Sequence, residues 1–140
     1  MNRYLDELER TGSSLMIYSG GRLVFQSISK GIKPHLEAIE RLGATLQGSV
    51  MADKIVGRAA ALLILYSGAS EAHAALVSTP GRQVLEQHGL PFTYAQETPH
   101  IKMEDGRIYC PFEAMVQGIS DPEEAYRAIA EKMRALKEQK

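Results

Sequence analysis

Eight consecutive residues, Ala59-Ala60-Ala61-Leu62-Leu63-Ile64-Leu65-Tyr66, carry no charge at any position. A helix apolar on nearly every face cannot lie on a surface, so this one belongs in the interior of a layered domain. It is far short of the about 20 apolar residues that span a bilayer. The rest of the chain must therefore supply the layers that enclose it. A single domain over residues 1–140 suffices, because a chain of 140 residues buries about two thirds of the surface that it exposes when unfolded. With 44% hydrophobic and 24% charged residues, it has the composition of a globular protein that folds without metal or disulfide.

The flanking patterns say what those layers are. Tyr4, Leu5 and Leu8 predict a short helix over residues 2–11, stopped by Gly12. Residues 14–18 and 22–28 flank Ser19-Gly20-Gly21 and read as an antiparallel hairpin. Ile32, Leu36, Ile39 and Leu42 recur at helical spacing between Pro34 and Gly43. A strand is expected over 46–51. Asp53 is then expected to cap a helix running from about Ile55 to Tyr66, with Gly57 inside it. Residues 72–77 form an expected central strand, followed by Ser78-Thr79-Pro80-Gly81 and a short helix through Val84, Leu85 and His88 to Gly89. Leu90 to Ala95 is a further strand, and Ile101 to Tyr109 folds back through Glu104-Asp105-Gly106. A helix over 112–118 and a terminal one over 122–137, opened by Asp121 and Pro122, complete the chain. A hairpin followed by alternating helices and strands predicts a three-layer α/β/α sandwich with a mixed sheet.

Charge and cysteine usage exclude several classes of function. Sixteen basic and 17 acidic residues leave a net charge of -1, so no bulk field draws nucleic acid. Cys110 is the single cysteine, which rules out an internal disulfide and any site needing two thiolates from one chain. The first residues lack the apolar core of a signal peptide, which makes the cytoplasm the expected compartment. Neither familiar Gly-rich phosphate loop occurs, and no cofactor is expected.

Three segments together, Asp53-Lys54-Ile55-Val56-Gly57-Arg58-Ala59-Ala60-Ala61, Leu76-Val77-Ser78 and Cys110-Pro111-Phe112-Glu113, resemble a family of small uncharacterised prokaryotic proteins. The resemblance covers roughly residues 13–120. It implies a cytidine-deaminase-like fold without the deaminase zinc motifs, and it brings no established activity with it. Zinc nucleobase deaminases need His-x-Glu and Pro-Cys-x-x-Cys. His35-Leu36-Glu37 matches the first string, but it lies on the first amphipathic helix after the hairpin. One cysteine cannot complete the ligand set, so His35 and Glu37 are expected to be solvated helix residues. His73, His88 and His100 fit no metal spacing with one another, and no metal is assigned.

Two kinds of site remain. Open α/β sheets bind ligands at the carboxyl ends of parallel strands, where helix N-termini point unpaired N–H groups outward. Lys54 and Arg58, four residues apart on the expected helix, together with Ser78 and Thr79, make a candidate pocket for a small anionic or nucleotide-like ligand. The structural alternative is that both cations extend to water or pair with neighbouring acids. The second candidate is Cys110, placed before Pro111 at a helix start where the dipole favours a thiolate. Glu113 or Asp53 would then carry the proton of a transfer reaction. A buried cysteine with a capping glutamate is the plainer reading. A third class is regulatory or assembly: Tyr126, Ile129, Met133 and Leu136 form a helical stripe that either joins the core or pairs with a second subunit in a homo-oligomer.

Overall fold

The chain is described by a computed structural model over residues 2–101 and 111–138. Helix α1 (Arg3–Thr11) opens on Asn2, whose Oδ1 accepts the N–H groups of Tyr4 and Leu5 at 2.9 and 3.1 Å. Gly12, at φ 67°, closes it in the left-handed region. Strands β1 (Leu15–Ser19) and β2 (Arg22–Ser27) pair antiparallel across Gly20 and Gly21, both at positive φ. That is the conformation a two-residue hairpin turn demands. Helix α2 (Lys33–Leu42) follows and leads through a 3-10 turn (Gly43–Leu46) to β3 (Val50–Val56). Helix α3 (Arg58–Tyr66), strand β4 (Glu71–Ser78), helix α4 (Thr79–Gln87) and strand β5 (Phe92–Thr98) then alternate, before α5 (Pro111–Met115) and α6 (Pro122–Glu138).

The five strands form one mixed sheet in the order β2-β1-β3-β4-β5. β1 runs antiparallel to both of its neighbours, whereas β3, β4 and β5 are parallel. The expected central strand is therefore central, between β3 and β5. Side-chain alternation divides the sheet into two faces of unequal cover. Leu15, Ile17 and Met51 point into the main core with α2, α3 and α4, while Met16 and Ala52 meet Leu8 of α1 in a smaller cluster. In α3, six consecutive residues from Ala59 to Ile64 are buried, as a helix enclosed on all sides must be. The stripe of α6 splits: Ile129 is fully buried and Tyr126 stacks on Tyr66 at 4.2 Å, whereas Leu136 is 41% exposed.

The boundary between β3 and α3 differs from the sequence-based expectation. Asp53 and Lys54 lie within β3, Gly57 is the residue before the helix, and α3 begins only at Arg58. Asp53 therefore caps nothing, Lys54 and Arg58 share no helical face, and Gly57 is not inside a helix. The β-branched pair Ile55-Val56 continues the ladder against Leu76 and Val77 of β4, a pairing that outweighs any local helical pattern. The strand expected over 46–51 is displaced towards β3 for the same reason. The turn expected within residues 101–109 lies outside the described residues.

Candidate functional site

At the carboxyl ends of β3 and β4, the starts of α3 and α4 lie against each other. A Cβ on Gly81 would stand 2.8 Å from the Val56 carbonyl oxygen and 3.0 Å from Gly57 backbone atoms, so only glycine permits the approach. Ser78 caps α4 by accepting the Gly81 N–H at 3.0 Å. Thr79 donates its hydroxyl to Glu97 at 2.8 Å, and that bond, with Arg82 beside it, holds the Glu97 carboxyl below the usual range.

The start of α3 is occupied by the protein itself. Glu113 of α5 accepts the N–H groups of Ala59 at 2.7 Å and Arg58 at 3.1 Å, the bonds that an anionic ligand would otherwise take. The Arg58 guanidinium reaches back, donating to the carbonyls of Val116 at 2.8 Å and Ile119 at 2.5 Å. Each segment thus satisfies the orphan groups of the other, forming a reciprocal clamp. Gly57 leaves the necessary space, because a Cβ there would meet Glu113 Oε1 at 2.7 Å.

Burial pushes the Glu113 carboxyl up, and the two backbone bonds and Arg58 only partly oppose it. The folded state therefore holds this proton more tightly than the unfolded chain does. The associated stability is present below the ordinary carboxyl range and is lost as pH rises through it towards the raised folded value. Glu113→Gln removes the titration. The stability of the variant relative to wild type should shift in its favour from pH 4 to pH 7, whatever the constant offset from the altered hydrogen bond. Urea unfolding at both pH values measures it, and a difference that does not move with pH would refute the raised carboxyl.

Asp53 has a different partner. His35 donates Nε2–H to Asp53 Oδ2 at 2.6 Å across the α2–β3 contact, and both residues are buried. His35 is thus a core residue and not the solvated one its helix position suggested, while Glu37 is half-buried. Among the described residues, the buried His35 Nδ1 has no hydrogen-bond partner. The apolar face between Pro34 and Ala38 was the available signal that this position turns inward.

Lys54 is on the opposite side of the sheet from the main core. It lines a groove of about 540 Å³ between α1 and the β4–β5 edge, with Asp6, Glu9, Ala75, Thr93 and Tyr94 among its walls. Tyr94 is 43% exposed. At one end of this groove Glu71 and His73, two residues apart on β4, share a face, and the parallel register sets Thr93 beside His73. His73 lies 2.6 Å from Glu71 Oε2 through Nε2 and 2.7 Å from Thr93 Oγ1 through Nδ1. Asn2 Nδ2 reaches His73 Nδ1 at 2.9 Å and Thr93 Oγ1 at 2.8 Å, and Tyr4 stacks on the imidazole at 4.7 Å. Nothing in the sequence pairs residues 73 and 93, because their contact depends on the register of two parallel strands.

The residues expected to act together are thus divided. Arg58, Glu113, Ser78 and Thr79 belong to the carboxyl-end region, Asp53 to the core, and Lys54 to the α1 groove; Cys110 lies outside the described residues. Among the described residues, no three His, Cys, Asp or Glu side chains are grouped to hold a metal ion, and no helix is long and apolar enough to cross a membrane.

These elements define an α/β protein with a mixed five-stranded sheet and helices. The chain belongs to the family described as TM1506, domain of unknown function (DUF1893), whose model matches residues 3–133. A similar solved structure is that of a DUF1893 family protein (TM1506) from Thermotoga maritima, 37% identical, covering 91% of this chain and 86% of its own, with a TM-score of 0.83. No curated protein matches this chain.

Proposed function

We propose that this chain is a ligand-binding domain on a zinc-free, deaminase-like frame, and that the α1 groove holds a small anionic, nucleotide-like ligand. The observation carrying this reading is the groove of about 540 Å³ with Lys54, Asp6 and Glu9 in its wall. Its volume falls in the range of small-molecule sites. The ammonium suits a phosphate or carboxylate, and Asp6 and Glu9 can accept sugar hydroxyls. The deaminase-like part rests on the helix before the hairpin, the mixed sheet, and the paired helix starts after β3 and β4. The clamp between Glu113 and Arg58 argues against an anion at the start of α3.

Calorimetric titration with nucleotides, sugar phosphates and small carboxylates tests this reading. Lys54→Ala should weaken the ligand that binds by about ten- to a hundredfold, the worth of a charge-assisted contact. Equal affinity in the variant, or no binding across the panel, would remove the anion role. One observation favours a second reading, a thiol-dependent transfer enzyme: the Glu113 carboxyl, three residues after Cys110, is raised by burial, as suits a proton carrier.

A further inference from the structure

We infer that Thr93, His73 and Glu71 form a hydroxyl–imidazole–carboxylate relay that hydrolyses small carboxylic esters in the α1 groove, an inference resting on the reading of that groove as a ligand site. Asn2 Oδ1 is committed to the N–H groups of Tyr4 and Leu5, so its Nδ2 is fixed as the donor towards His73 Nδ1 and Thr93 Oγ1. His73 Nδ1 is consequently an acceptor, and its ring proton lies on Nε2, facing the Glu71 carboxylate at 2.6 Å. Nδ1 has a single lone pair, and the Thr93 hydroxyl, the nearer donor at 2.7 Å, takes it, while the Asn2 amide N–H serves mainly Thr93 Oγ1 at 2.8 Å. A nucleophile, its base and the group orienting that base are all within hydrogen-bond reach.

Burial is greatest at the base, which sits between the solvent-facing Thr93 and the partly exposed Glu71. Thr93 is exposed and lines the cavity, His73 is only 7% exposed, and its ring is held by Tyr4. Attack by Thr93 Oγ on an ester carbonyl forms a C–O bond as the hydroxyl proton passes to His73 Nδ1. Collapse of the adduct breaks the bond to the alcohol, which takes that proton and departs. Water then attacks the acyl-threonine, delivers a proton through His73 to Thr93 Oγ, and releases the carboxylic acid. The balance is ester plus water to acid plus alcohol, with no other reactant. Lys54 in the same cavity favours esters that carry an anionic group.

The test is p-nitrophenyl acetate with the full chain, following nitrophenolate release and locating acetyl groups by peptide mass spectrometry. The expected result is release above the buffer rate with acetyl on Thr93. Thr93→Val should lose that acetyl and at least about a hundredfold of the rate, the usual scale of positioned proton transfer. Thr93→Ser should keep both, and because it retains the bonds that dock α1, it separates chemistry from folding. Acetyl confined to lysines, or a Thr93→Val rate equal to wild type with unchanged thermal unfolding, overturns the relay. The ligand reading fails separately: it is judged by titration with ligands that contain no ester, and Thr93 acetylation does not depend on that result.

Discussion

Replacing His35 with leucine should lower the unfolding free energy by about 3 kcal/mol, the scale for leaving a buried carboxyl without its hydrogen-bond partner. Among the described residues, the buried Asp53 carboxyl would then keep only the Ile55 N–H, at 3.3 Å. The loss belongs to the stranded acid more than to the missing imidazole. The double variant His35→Leu/Asp53→Leu should therefore recover much of the stability, since replacing both partners of a buried hydrogen bond by apolar groups is often nearly neutral. Urea unfolding of both variants decides it. A loss below about 1 kcal/mol in the single variant would mean that water or a neighbouring donor reaches Asp53 readily.

A comparably large effect is expected at Leu63, which is 0% exposed in the middle of α3. Leu63→Ala should cost about 2–5 kcal/mol, combining lost transfer energy with a cavity that the close-packed interior fills incompletely. Leu136→Ala, on the exposed part of α6, should stay within about 0.5 kcal/mol. The contrast tests the placement of the core because both changes delete the same atoms. Similar losses at the two sites would mean that α3 is not the central helix, or that the end of α6 is buried by a second subunit.

How far the sequence could be read depended on where each contact came from. The hairpin, α2, α4 and α6 are signalled by local residues: the two glycines after Ser19, Pro34 and Gly43, the Ser78 cap, and Asp121-Pro122. The start of α3 was misplaced because a buried parallel strand reads as a continuous apolar run and merges with the helix after it. Gly57 marked the break but resembled a packing glycine. That error carried Lys54 onto the wrong element and joined it to Arg58. The partners of Arg58 and Asp53 were equally hidden, because Val116, Ile119 and His35 are distant in sequence and meet them only through the packing of α5 and α2.

The unequal cover of the two sheet faces has a consequence for how the groove opens. Among the described residues, three buried side chains hold α1 to the sheet, against twenty-one in the main core. Regions with few buried contacts open at a fraction of the global free energy. The α1 wall of the groove is therefore softer than β4 on the other side, which lies inside the sheet between β3 and β5. Fraying of α1 from Asn2 would widen the groove and disassemble the Asn2–His73–Thr93 bonds while the main core stayed intact. Entry of a ligand and the order of the relay are then governed by one local equilibrium, which a ligand bridging α1 and β5 would draw towards the closed form.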